Sequence, residues 1–176
     1  FGPWVLIHVY GLTPVDIAFL LMLAACIGLL FKPLAGWMMD RWGERVVMVG
    51  DGFVLSAVCL GYGYAGGFPG GPAVALAIAG ACYILDNLLF ALSTGRTVYI
   101  SRLASSSAEL TGTLSLGVTI NHSASMVIPF WAGLMWKTMG YQMVFTFAAV
   151  LALGISGFSW LVPGKRSRAL LGGQSV

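Results

Sequence analysis

The chain has 176 residues, of which 59% are hydrophobic and only 9% charged, against about 25% charged in an ordinary soluble domain. Nine Lys and Arg with six Asp and Glu are too few to cover the surface of a water-soluble core of this size, which leaves lipid as the covering solvent. The formal charge of +3 does not imply a nucleic-acid partner, because the basic residues fall between apolar runs and form no patch interleaved with aromatics. Cys26, Cys59 and Cys82 are far apart, each inside an apolar stretch, so neither a disulfide framework nor a metal knuckle follows. No cofactor or metal site is expected.

The chain opens at Phe1 with neither Met nor a basic leader, which reads as a cut and not as a signal peptide. Residues 1–12 are too short to cross a hydrocarbon layer about 30 Å thick and are expected to be the end of a truncated helix. Five complete spans follow, over 14–38, 46–65, 73–98, 110–134 and 141–162, so the fold class is an all-α, polytopic transmembrane bundle. Thr13-Pro14-Val15-Asp16 supplies a capping hydroxyl, a first-turn proline and an acid at the start of the second helix. Gly66-Gly67-Phe68-Pro69-Gly70-Gly71-Pro72 forces a turn. Ser106 and Glu109 have capping-box spacing ahead of the next span, and Gly140 and Pro163 frame the last one. Residues 163–176 form a basic tail.

Arg41, Arg45, Arg102, Lys165, Arg166 and Arg168 all fall on one side, whereas Lys137 alone lies in a loop on the other. By the positive-inside rule the loops at 40–45 and 102–109 and the tail are cytoplasmic, and the Gly/Pro loop faces out.

Sliding the sequence against itself by 97 positions aligns Ala35 with Ala132, Gly36 with Gly133, Met38 with Met135, Gly43 with Gly140 and Val47 with Val144, five identities in thirteen positions. Each copy follows the second helix of a three-helix set. Three being odd, the copies point opposite ways through the membrane, as inverted-topology repeats do.

Gly36-Trp37-Met38-Met39-Asp40-Arg41-Trp42-Gly43-Glu44-Arg45 resembles the loop signature of the major facilitator superfamily, with Glu44 standing where the family has Arg or Lys. The resemblance implies one six-helix half of a secondary active transporter, built as two inverted three-helix repeats and working by alternating access. The C-terminal half fits the final helix, Pro163 and basic tail, but the N-terminal half remains open. It also implies a cytoplasmic gate at Gly36, Asp40, Arg41, Gly43 and Arg45, and a multi-pass protein of a bacterial or archaeal inner membrane. Its partners would be the bilayer, a small solute moved with or without protons, and either a missing half or a second copy. In physical terms Gly36 allows close helix contact, Gly43 a tight turn, and Asp40 an interaction with a helix N-terminus or an Arg. The alternative is that Asp40 and Arg41 only set topology and turn.

Ionisable groups inside lipid are costly and are functional candidates by default. On the fourth helix Tyr83, Asp86, Ser93 and Thr97, with Arg96 beside them, share a face expected to line water. Asp86 lies roughly 20 Å from the outer end, and is the first candidate for a proton- or cation-binding carboxylate. An interhelical hydrogen-bonding acid is the alternative. Arg96 either binds an anionic substrate or snorkels to headgroups. The fifth helix carries two polar stripes, Thr111, Ser115, Thr119 and His122, then Gly117, Asn121 and Ser125. His122 either exchanges protons or bonds a neighbouring helix. His8 is expected at the interface, and Lys32 to snorkel. The six tryptophans fall mostly near expected interfaces.

Two other functions compete with transport. Gly154-Ile155-Ser156-Gly157 resembles the serine motif of rhomboid proteases, but no histidine follows Ser156 to activate it. A non-transporting membrane scaffold is the other alternative; it would need no polar stripe facing a cavity, so Asp86 is the feature that separates the two readings. No Walker sequence is present, so no ATPase is expected.

Overall fold

The computed structural model describes residues 2–103 and 107–160, apart from the side chains of residues 44, 91, 93–103 and 107–110. These residues form six α-helices, α1 (Gly2–His8), α2 (Pro14–Trp42), α3 (Glu44–Tyr64), α4 (Gly71–Leu103), α5 (Ser107–Met139) and α6 (Tyr141–Trp160), with one 3-10 turn at Ala65–Gly67. No strand occurs among the described residues. The tail at 163–176, the end of the last expected span and Ser106 lie outside them.

The start of α2 follows its local chemistry. The Thr13 hydroxyl accepts from the Asp16 amide at 3.3 Å, and the Asp16 carboxylate accepts from the Thr13 amide at 2.8 Å. With Pro14 in the first turn this completes a capping box that satisfies two otherwise orphaned donors. The end of α2 differs from expectation. The loop placed at 40–45 contracts to Gly43 alone, since α2 continues through Asp40 and Arg41 to Trp42 and α3 begins at Glu44. Gly43 makes this possible with φ +84 and ψ 157, a region closed to side chains, while its amide donates to Met39 at 3.0 Å.

Among the described residues four segments are long and apolar enough to cross a membrane, Pro14–Trp42, Arg45–Gly67, Gly71–Phe90 and Tyr141–Trp160. The expected total was five. α5 has the length, 33 residues, but Asn121, His122, Ser123 and Ser125 interrupt its middle, and it is not among the four. Large apolar side chains cover the outside of the bundle: Leu30, Phe90, Met126 and Phe158 are each more than 75% exposed. Such a surface is incompatible with water and suited to hydrocarbon, so several long apolar helices mark a membrane-spanning protein.

Because lipid tails are as apolar as Leu, helices in a bilayer associate through close packing and not through hydrophobic transfer. The most extensive pairing, α3 with α6, shows this. From one end to the other, Tyr64 hydrogen-bonds Thr146 at 3.0 Å, the Tyr62 and Phe145 rings lie 5.3 Å apart, the Ser156 hydroxyl donates to the Val49 carbonyl at 2.9 Å, and the Arg45 guanidinium sits 5.0 Å over the Trp160 ring. Numbers that fall on α3 as they rise on α6 make the pair antiparallel. Gly52 lets the backbones approach: a Cβ there would lie 2.9 Å from the Ala152 carbonyl oxygen.

The two copies of the internal repeat have the same local geometry. Gly43 and Gly140 both have φ +84. Their amides donate to Met39 at 3.0 Å and to Trp136 at 3.1 Å, acceptors that are themselves 97 positions apart. Ala35 and Ala132 are both buried, as are Val47 and Val144. The packing role expected of Gly36 does not hold, however. Nothing lies within 4 Å of a Cβ built at Gly36 or at its counterpart Gly133, and the neighbouring alanines, Ala35 and Ala132, point inward in their place.

Candidate functional site

The central core joins α1, α2, α3, α4 and α6 through Val5, Leu6, Ile17, Val58, Tyr62, Ala79, Tyr83 and Phe145. Asp86 borders this core. It is half-buried on α4, one turn beyond Tyr83, and lies within electrostatic reach of Cys59 and Tyr62 on α3 and of Cys82 and Tyr83 on its own helix. Among the described residues no side chain or amide hydrogen-bonds to the Asp86 carboxylate. Close by, the Tyr62 hydroxyl is buried without a partner, and the residue is only 2% exposed. A half-buried carboxylate and a buried hydroxyl without a hydrogen-bond partner thus lie near each other, where burial carries a desolvation cost.

The other α4 candidates divide. Tyr83 is 4% exposed and packs inside the core, so it does not line an open aqueous face as expected. Asn87, which the sequence did not single out, donates to the Tyr83 carbonyl at 2.8 Å, a bond confined to its own helix. The side chains of Ser93, Arg96 and Thr97 lie outside the described residues.

Asn121 and His122 stand exposed on α5, and neither side chain meets a hydrogen-bond partner among the described residues. The neighbouring hydroxyls turn back on their own helix, Thr119 to the Ser115 carbonyl at 2.9 Å, Ser123 to that of Thr119 at 2.9 Å and Ser125 to that of Asn121 at 2.8 Å. Such back-bonding satisfies a hydroxyl without any second helix. α5 packs chiefly on α6 and touches α4 little, so its polar stripes remain uncovered.

At the opposite end from the Gly/Pro turn, the residues expected to form a gate take distinct positions. Asp40 and Arg41 are exposed in the last turn of α2, where the Arg41 guanidinium lies 5.3 Å over the Trp37 ring one turn back. Arg45 instead ties α3 to α6 through Trp160. Ser156, central to the protease-like motif, is 2% exposed and spends its proton on Val49. The adjacent Gly154 and Gly157 face open space, so among these three small residues the contact with α3 belongs to Ser156 alone.

Tyr62 was missed by sequence reasoning. It sits between Gly61 and Gly63 in an apolar run with no polar periodicity of its own, and only the approach of α4 gives its hydroxyl a charged neighbour. Among the described residues no three His, Cys, Asp or Glu side chains converge as metal ligands. No protein family, curated protein or solved structure matches the chain.

Proposed function

We propose that this chain is a six-helix unit of a secondary active transporter of the major facilitator type, moving a small solute by alternating access, with Asp86 as its proton- or cation-binding carboxylate. The observation that carries the reading is the inverted repeat: two helix–Gly–helix joints of the same geometry, Gly43 and Gly140, whose following helices α3 and α6 pair antiparallel. Architecture of this kind suits a scaffold that rocks between inward- and outward-open states. A half-buried carboxylate with an unmatched hydroxyl nearby suits ion coupling, because binding a proton or cation relieves the desolvation cost of the charge.

The uncovered stripe on α5 supports a second unit, either on the same polypeptide or as another copy. Asn121 and His122 would be costly against lipid and acceptable against a polar helix face or a water-filled path. In this reading Asp40 and Arg41 belong to a cytoplasmic gate. A non-transporting scaffold is favoured by one observation, the burial of Tyr83, which removes one member of the polar face on α4.

The test is reconstitution into proteoliposomes carrying an internal pH indicator, challenged with pooled sugars, amino acids, organic anions and organic cations. A substrate-dependent proton flux is expected from the wild type and not from Asp86→Asn, with both proteins inserted equally. Undiminished flux in Asp86→Asn would refute the role of the carboxylate.

A further inference from the structure

We propose that the cleft between α1 and α5, at the end of the bundle remote from Arg41 and Arg45, binds an anionic phospholipid, with Lys137 taking the headgroup phosphate and the floor of the cleft taking the first part of an acyl chain.

The cleft has a volume of about 640 Å³ and is lined by Trp4, Pro129, Gly133, Trp136 and Lys137. Three of these, Lys137, Gly133 and Pro129, are spaced four apart on α5 and share one face. They form a track that runs roughly 12 Å inward from the end of the helix. Its mouth is cationic. Lys137 has no ion pair among the described residues, and Asp16, the acid near this end, is bonded to Thr13. Topology does not account for Lys137 either, since it is the one basic residue placed on this side of the membrane.

The wall is aromatic and held in place. Trp4 meets Trp136 edge to face at 4.4 Å and stacks on His8 at 3.9 Å, while Trp136 lies against Tyr141 at 5.8 Å. Indoles at this level match the headgroup region of a bilayer. The floor is bare: nothing lies within 4 Å of a Cβ built at Gly133. A soluble anion would use the ammonium and leave the apolar track empty. A phospholipid fills both, which is the reason to choose it.

The experiment uses the whole chain in nanodiscs, with tryptophan quenching by bromine-labelled phosphatidylglycerol measured against equally labelled phosphatidylcholine. We expect the anionic lipid to bind about fivefold more tightly, the ratio that corresponds to about 1 kcal/mol for a basic side chain at a lipid surface. Lys137→Gln should bring the ratio to about one, and Lys137→Arg should keep it. Gly133→Leu, which fills the track, should reduce quenching by both lipids. A ratio near one in the wild type, or a preference that survives Lys137→Gln, would overturn the proposal. So would displacement of the labelled phosphatidylglycerol by inorganic phosphate, which would identify a soluble-anion site. None of these readouts involves translocation, so their failure would leave the transport reading standing.

Discussion

Replacing Gly52 by alanine puts a methyl group where α3 and α6 leave no room. The new Cβ would lie 2.9 Å from the Ala152 carbonyl oxygen and 3.2 Å from the Ser156 Cβ, and would overlap the Ser156 hydroxyl. The hydroxyl can rotate, but only by giving up its 2.9 Å bond to Val49, and a backbone carbonyl cannot rotate out of the way. Overpacking of this kind costs about 1–3 kcal/mol. The lost interhelical hydrogen bond adds about 0.6 kcal/mol, and the better helix propensity of alanine returns about 1 kcal/mol. A net destabilisation of about 2 kcal/mol is therefore expected, read as a shift in the midpoint of unfolding when denaturing detergent is titrated into mild-detergent micelles. Gly50 provides the matched control, since it lies on the same helix with nothing within 4 Å of its Cβ position. Gly50→Ala should stabilise by about 0.5–1 kcal/mol. Ser156→Ala alone should cost about 0.6 kcal/mol, and in combination with Gly52→Ala it should recover part of the loss, because the overlapping oxygen is gone. If Gly52→Ala and Gly50→Ala shifted the midpoint alike, the close approach of α3 and α6 would be wrong.

Other substitutions test other parts of the bundle. Gly43→Ala and Gly140→Ala each force a side chain to φ +84, so each should lower stability by about 1–3 kcal/mol in thermal unfolding. The repeat requires the two losses to be similar, and a neutral result at either joint would break the equivalence. Tyr62→Phe removes a buried hydroxyl that has no partner. It should leave stability unchanged or raise it by about 1 kcal/mol, whereas a clear loss would mean that the hydroxyl is bonded. Arg45→Gln removes the cation over Trp160 and should cost about 0.5–1 kcal/mol. Trp160→Leu should make that substitution silent, and an additive double mutant would disprove the contact.

The positions of Asp86 and Tyr62 show how far the candidate site was legible. A carboxylate within an apolar run stands out in any single sequence, because so few ionisable groups are present and each is costly in lipid. A tyrosine in such a run does not. Whether its hydroxyl is wet, bonded or stranded depends on which helix packs over it. Tyr83 illustrates the converse: helical spacing put it on the face of Asp86, but the tip of α1 covers it and makes it core. Gly36 and Gly52 make a similar pair. Both are small and helical, and only the path of the neighbouring helix decides that Gly52 is crowded while Gly36 is open.

Boundaries follow the same division. Thr13, Pro14 and Asp16 set the start of α2 through bonds within four residues, so the cap was readable. The expected loop at 40–45 shrank to one residue, because a glycine at positive φ turns the chain without any loop and the charged residues on either side fit into helix ends. Composition and the length of the apolar runs by themselves determined that the chain is helical and built for a bilayer, since backbone groups in hydrocarbon must be satisfied within each segment. The 97-residue repeat was equally a property of the string of residues. Only the tertiary structure decided that α3 and α6 pair antiparallel, that Tyr62 lies beside Asp86, and that α5 keeps its polar stripes uncovered. Those outcomes depend on side-chain volumes meeting across helices remote in sequence, and periodicity along one helix carries no information about its neighbour.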